Sequence, residues 1–594
     1  MKILTALMLL FLLSPLAQAG LDDPRAHADY YIDIFGEVDP ASDARVRHAY
    51  EIFERVRRVA EDPIGFTPAL KVINSDGKPW AVALPDGYVI LSHGALKICY
   101  DNTDQARGDA RLAFVLGHEL AHLVSRDFWH RNVFLSLSGT TQPKTLSGVQ
   151  EIVASELFDT SAASEQVNVE AIKRKELHAD DAGFLYASLA GFKTPLIFQQ
   201  RGDQQDFLRD WVRQTRTIDD QTHLGPEERS AFLQTRFSNI INKVGVFNAG
   251  ITLALFGHFR DAQYLFEAFA QSFPSHEVAT NLGYVHLQQA LQLIPETQRT
   301  RFWLPARLLD LPDLQMTTRT LAGNLPPAVT RHLREAEKYL LKAVNARADD
   351  LASRLNLAVV YFHLQEYYKA RDRVEEARTL DEHNPDVLAL RALILNEQEK
   401  DIDMWPVATR ILQKLAAKGH LPARYNLARL YEERGRKSRA RELWSSLQSD
   451  LDKLPQDIAT AACKALTPAN ACTTKTASLP RYPEKILDPT LMAGYKHPET
   501  LPPGQWRRDT LQAGPLFVEY LHDSKGNIVL MVDGHPQLFS AQAPADLSAP
   551  DLVQQFGQPT QRQPLGHKTF WRYNASWGAI IENGQITTIQ GIAY

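Results

Sequence analysis

The spacing of apolar positions changes several times along this chain, and each change predicts a different kind of element. From Trp80 to Leu96 apolar residues alternate with others on both sides of Pro85-Asp86-Gly87, as two strands joined by a tight turn require. Between Leu112 and Val124 apolar residues flank His118 to His122 in a helix-forming context, which predicts a helix. From about residue 240 to 455 small and aromatic residues recur at fixed offsets. Gly250, Gly257, Phe259, Ala262, Phe266 and Pro274 fit a helix-turn-helix repeat of the tetratricopeptide kind, whose period is about 34 residues. Gly283 begins a partial copy, and beyond an insertion containing Pro305 and Pro312 the pattern restarts at Ala336 and Ala343. Ala358, Tyr361, Tyr367, Ala370 and Ala377 make the next copy, and Ala428, Tyr431, Gly435 and Ala440 the last. Stacked units of this kind expose a concave groove, and the expected partner there is another protein.

From residue 475 the pattern turns to strands. Leu516–Leu521 and Ile528–Val532 flank a Lys525-Gly526-Asn527 turn, and Phe570–Tyr573, Ala579–Ile581 and Ile586–Ile589 follow, the last two joined at Asn583-Gly584. A helix is expected from Ala549 to Phe556, ending at Gly557. The fold class is therefore multidomain α+β. Its expected parts are a mainly helical domain with a small β-hairpin sheet over residues 20–235, an α-solenoid over 240–455, and an α+β module over 475–594.

At the amino terminus Lys2 precedes a nearly continuous apolar run, Ile3 to Leu13, and Ala17-Gln18-Ala19 precedes Gly20. This has the form of a secretory signal peptide cleaved after Ala19, and the run is too short to span a bilayer. No Cys stands at the cleavage position, and no later stretch reaches the roughly 18 apolar residues of a transmembrane helix. The mature chain is expected to be exported and soluble. Cys463 and Cys472 are close enough in sequence to close a small disulfide loop, leaving Cys99 over; the other reading is three buried thiols. A net charge of −5 with no basic stripe argues against nucleic acid as a partner.

The chemistry is concentrated in Gly117-His118-Glu119-Leu120-Ala121-His122. In a helix His118 and His122 project from one face and can grip a single Zn²⁺, while Glu119 can reach a metal-bound water as general base. A third ligand is needed. A metzincin would place Gly at position 125 and His at position 128, where this chain has Ser125 and Phe128. Further on, in Glu176-Leu177-His178-Ala179-Asp180, two acids again sit one helical turn apart. Glu176 can complete a site of two His and one Glu, one zinc per chain, and Asp180 can hydrogen-bond the distal nitrogen of a ligand His. His178 faces the other way and is expected to be structural.

HExxH followed by ExxAD resembles the HtpX-like zinc metallopeptidases, a gluzincin-type family that includes the CAAX prenyl protease and periplasmic BepA-type proteases. Trp80–Leu96 is similar to the family's hairpin, which borders the cleft and can take an extended peptide as an added strand. The resemblance covers about the first 235 residues. The interval from His122 to Glu176 is long for the family, so an inserted lid or helical hairpin is expected over 129–165. Thr222-His223 to Arg229 resembles the family's THPxxxxR segment, in which the His lies near the metal and can occlude it or steady the oxyanion. Here Leu224-Gly225 separates His223 from Pro226, and an ordinary helix start with Glu227 and Glu228 in its first turn is the other reading. The carboxy-terminal stretch is similar to small envelope modules of the SmpA type. The resemblance implies a periplasmic zinc endopeptidase acting in quality control of envelope or outer-membrane proteins, with envelope assembly factors as possible partners. The competing expectation is a periplasmic adaptor or chaperone whose peptidase domain is occluded or vestigial.

Overall fold

The computed structural model describes residues 27–60, 66–76, 79–125, 165–197, 207–215, 240, 244–271, 273–295, 300–306, 316–319, 325–347, 349–398, 403–466, 482–497, 501, 506–523, 526–544, 546–565 and 568–593. The chain divides into two compact units, Met1–Val244 and Gly245–Tyr594.

In the first unit α1 (Ala28–Phe35) and α2 (Ala44–Val59) precede a three-stranded sheet of β1 (Ala69–Ile73), β2 (Ala81–Ala83) and β3 (Tyr88–Ser92). Asp43 starts α2 by accepting the Arg45 and Val46 amides at 2.7 and 3.2 Å, and Val46, Ala49, Phe53 and Val56 bury one stripe of the helix. The expected hairpin is present as β2–β3, antiparallel. The sheet order is β1-β3-β2, with β1 parallel to β3, so a strand not legible in the sequence makes the hairpin part of a mixed sheet. Ser92 ends β3 and caps α3 (His93–Tyr100), its hydroxyl accepting the Ala95 amide at 3.1 Å and the Trp80 amide at 3.0 Å.

α4 (Gln105–Ser125) is the core helix of this unit. From Arg107 to Leu123 every residue is buried except Asp109 and His118, which are partly exposed. A helix buried on all sides needs neighbours on all sides. α4 has them in α2, α3, β2, β3 and α5 (Glu165–Leu189). Its first turns are fastened by Asp109, whose Oδ1 lies 2.9 Å from His48 Nε2 and accepts from the Tyr100 hydroxyl at 2.7 Å. α6 (Phe207–Thr215) completes the described part of the unit, with Arg111 of α4 stacked over the Phe207 ring.

The second unit holds five helix pairs among the described residues. They are α7 (residues 245–255 of this unit) with α8 (Phe259–Ala270), α9 (His276–Gln292) with α10 (Pro327–Ala346), and α11 (Leu351–His363) with α12 (Tyr367–Leu380). α13 (Pro385–Gln398) pairs with α14 (Trp405–Ala417), and α15 (Leu421–Glu433) with α16 (Lys437–Leu447). Buried small residues set the helix spacing: a Cβ on Gly283 of α9 would lie 2.5 Å from Leu340 of α10. Gly283 and Ala336 thus belong to one repeat, and the insertion falls between its two helices. It contributes a two-stranded antiparallel sheet, β4 (Trp303–Ala306) with β5 (Met316–Arg319). α17 (Gln456–Leu466) follows the last pair; Cys463 on it is disulfide-bonded, Cys99 is free and buried, and Cys472 lies outside the described residues.

After α18 (Pro489–Lys496) come β6 (Trp506–Ala513), β7 (Leu516–Asp523), β8 (Ile528–Val532), β9 (His535–Gln542), α19 (Ala549–Phe556), β10 (Gln561–Leu565), β11 (Lys568–Arg572), β12 (Trp577–Glu582) and β13 (Gln585–Ile592). They form one eight-stranded antiparallel sheet in the order β10-β11-β12-β13-β9-β8-β7-β6, with α18 and α19 on a shared apolar core. The sheet packs on the first repeat: Phe570 meets Phe256 edge-on at 5.5 Å, and Tyr264 leaves no room for a Cβ at Gly514. Among the described residues no helix is long and apolar enough to cross a membrane.

Candidate metal centre

Two helices make the site, and two glycines let them meet. A Cβ on Gly117 of α4 would stand 2.7 Å from the Gly183 carbonyl oxygen, and one on Gly183 of α5 would stand 2.5 Å from the His118 nitrogen. Backbone therefore touches backbone at the residue beside the first histidine. Glu176 and Asp180 lie on α5 before Gly183, at distances of two turns and one, and are carried down onto the histidine face of α4.

The result is a cluster of His118, His122 and Glu176 whose donor atoms all lie within 4.8 Å of one another. The two Nε2 atoms are 3.1 Å apart, His122 Nε2 is 3.2 Å from Glu176 Oε1, and His118 Nε2 is 3.6 Å from Glu176 Oε2. Ligands at about 2.0–2.1 Å in a tetrahedron are separated by about 3.3–3.4 Å along each edge, so the three donors already have the spacing a single ion would impose. Two imidazoles and a carboxylate, with a fourth position left for water, are also the donor set of a catalytic rather than a structural zinc.

The surroundings favour this arrangement. His118 Nδ1 lies 3.1 Å from Asp180 Oδ1, so the ring donates there and turns Nε2 toward the other donors. Asp180 is itself buried, as are His122 and Glu119. Burial alone would lower the pKa of His118, but the hydrogen bond to Asp180 and the charge of Glu176 act against it, and the net shift is upward. His118 and Glu176 keep side-chain exposures of 16% and 21%, so the cluster opens to solvent on their side while His122, at 1%, closes the other. His178 is exposed and away from the cluster.

All three sequence-predicted ligands and Asp180 come together. His223 and Arg229 lie outside the described residues, as does the expected lid over 129–165 except for its last residue, which starts α5. The structure adds Gly117 and Gly183 as residues on which the site depends. Their signal was present in the sequence as small residues beside each motif, but the contact between them joins two segments far apart along the chain.

Residues 47–200 match the model of peptidase family M48. That span contains all four clustered residues and the β2–β3 hairpin. No curated protein matches the sequence. Among solved structures, the chain is similar to TTC0263, a thermophilic TPR protein of Thermus thermophilus, at 15% identity, covering 38% of this chain and 98% of that one with a TM-score of 0.28. It is also similar to yeast Tom70 at 12% identity, covering 61% of this chain and 64% of Tom70 with a TM-score of 0.25. Both superpositions are loose, and the repeat assignment rests on the helix pairs themselves.

Proposed function

We propose that this chain, whose residues 47–200 match the model of peptidase family M48, is a zinc-dependent endopeptidase that works outside the cytoplasm, in the periplasm, on envelope proteins that have failed to assemble. The observation that carries the reading is the convergence of His118 Nε2, His122 Nε2 and a Glu176 carboxylate oxygen at 3.1–3.6 Å, with Glu119 buried on the next helical position.

In this reading His118, His122 and Glu176 hold the ion, and Asp180 fixes the His118 ring. A zinc ion bound there supplies Lewis acidity toward a carbonyl oxygen and lowers the pKa of water. Glu119 accepts the proton of the attacking water at its carboxylate and passes it to the leaving amine. β2 occupies an outer position in the sheet and packs against α4, so an extended substrate can align beside it as a further strand. Hydrolysis within a chain, rather than at an end, fits a substrate held by its backbone along such an edge. The periplasmic setting is supported by the leader-like segment Lys2–Ala19.

Glu119→Gln tests the assignment because it preserves volume and hydrogen bonding while removing the base. The variant is expected to bind zinc as the parent does and to lose cleavage of an unfolded protein such as casein by about a hundredfold or more. Undiminished cleavage would remove Glu119 from the chemistry. A parent that binds full zinc yet cleaves nothing would favour the adaptor reading of the repeats.

A further inference from the structure

Residues 300–306 belong to the insertion inside the second repeat: a turn and bend over 300–302 lead into the strand β4 (Trp303–Ala306), which lies against α11, α13 and α15, the first helices of the three repeats that follow. In a solenoid of paired helices, such successive first helices form the inner binding wall. All seven residues except Arg301 are buried. The segment is held through its backbone and one charge. Trp303 donates its amide to Asn426 Oδ1 at 2.6 Å and its carbonyl accepts from Asn426 Nδ2 at 2.8 Å, so one buried side-chain amide satisfies both main-chain polar groups of that residue. The Thr300 carbonyl accepts from the Tyr425 hydroxyl at 2.5 Å and from Arg429 Nη2 at 3.3 Å. Arg301 is forked between two carboxylates, 2.9 and 3.0 Å from Glu397 and 2.7 Å from Glu433.

Two features distinguish this from ordinary core packing. A side-chain amide that pairs with main-chain groups reads any extended backbone, whatever its side chains. Asn356 and Asn426 both stand at the sixth position of their helices, α11 and α15, and both are fully buried, as is Asn281 at the sixth position of α9, so two of the wall's three helices carry the amide while α13 has Leu390 there. The fit of the present occupant is also incomplete: the Trp303 indole Nε1 is buried with no hydrogen-bond partner among the described residues.

We propose that residues 300–306 are a built-in ligand of the solenoid, and that the wall of α11, α13 and α15 binds an extended peptide of the same chemistry, an arginine two residues before an aromatic, by displacing this segment. Glu397 and Glu433 read the arginine, and Asn426 clamps the backbone at the aromatic. The inference does not depend on the peptidase reading, and its test measures no cleavage.

The probe is a fluorescent heptapeptide with the sequence Thr-Arg-Phe-Trp-Leu-Pro-Ala, and a control carrying Glu in place of Arg. Arg301→Glu in the full chain sets a third carboxylate between Glu397 and Glu433, which expels the segment and leaves the wall intact. The heptapeptide is expected to bind this variant about tenfold or more tighter than it binds the parent, because the competing occupant is gone, and the control peptide to bind neither. A folded variant that binds neither peptide, or binds both equally, overturns the proposal. Hydrogen exchange on the parent decides the matter without a variant. Millimolar heptapeptide should speed exchange of the Trp303 amide about tenfold or more while amides within α15 keep their rates. An unchanged Trp303 amide overturns the proposal.

Discussion

Replacing Gly183 by Ala puts one methyl group into the contact that builds the candidate metal centre. The new Cβ would stand 2.5 Å from the His118 nitrogen and 2.8 Å from its Cα, where ordinary contact begins at 3.4 Å. The obstructing atoms are backbone, so no side-chain rotation relieves the clash, and α5 must move off α4 by about 0.9 Å. Metal–ligand distances tolerate only about 0.2 Å, so a shift of that size pulls Glu176 and Asp180 away from the two histidines. Zinc affinity should fall on the order of a hundredfold, the scale on which a 1 Å misplacement acts in a site of fixed geometry. Stability should fall as well. In an exposed helix Gly→Ala gains up to about 1 kcal/mol, but overpacking at a backbone contact costs about 1–3 kcal/mol. The assay is a competition titration of zinc against a chromophoric chelator, run beside urea unfolding of the metal-free chain. A Gly183→Ala variant with parental zinc affinity would refute the argument that the two glycines set the ligand geometry.

Other changes test other parts of the molecule. Asp180→Asn removes the charge that His118 Nδ1 faces at 3.1 Å, and should weaken zinc binding by about tenfold in the same titration. Glu277, buried in α9, is pushed up to about 8, chiefly by burial, so the folded chain keeps its proton after the unfolded chain has lost it. Its contribution to stability therefore falls as pH rises from about 4.5 to 8, and the unfolding midpoint of Glu277→Gln should gain on that of the parent across this window. A constant difference between the two midpoints from about pH 5 to 8 would show that Glu277 does not titrate in this way.

The site was legible in the sequence because each half of it is local. His118 with His122 and Glu176 with Asp180 are each one helical turn apart, so helical geometry alone puts each pair on a face. What joins the halves is the contact of Gly117 with Gly183, which no local pattern encodes. The repeats were legible where a small residue holds its register. Ala262, Ala370, Ala408 and Ala440 are each the fourth residue of a second helix, yet Ala408 follows Ala370 by 38 residues and precedes Ala440 by 32. A longer connection between α13 and α14 breaks the period of about 34, so no 34-residue offset marks that repeat in the sequence. In the sheet the strands not expected were β6, β9 and β10. β6 and β10 are its two edges, where an exposed polar face and Pro564 are tolerated, and Pro536 of β9 sits where the pairing with β8 shifts register. Pro305 made the insertion look like a loop, although residues 303–306 form a buried strand.

The central claim is that one metal ion held by His118, His122 and Glu176 drives peptide hydrolysis. Its most direct test is a zinc titration of the chelator-stripped chain, with cleavage of unfolded casein followed at each addition. The account predicts no cleavage without metal, a rise that breaks at one zinc per chain, and neither break nor cleavage in Glu176→Ala. Cleavage that persists without metal, or that follows the same titration in Glu176→Ala, would contradict it.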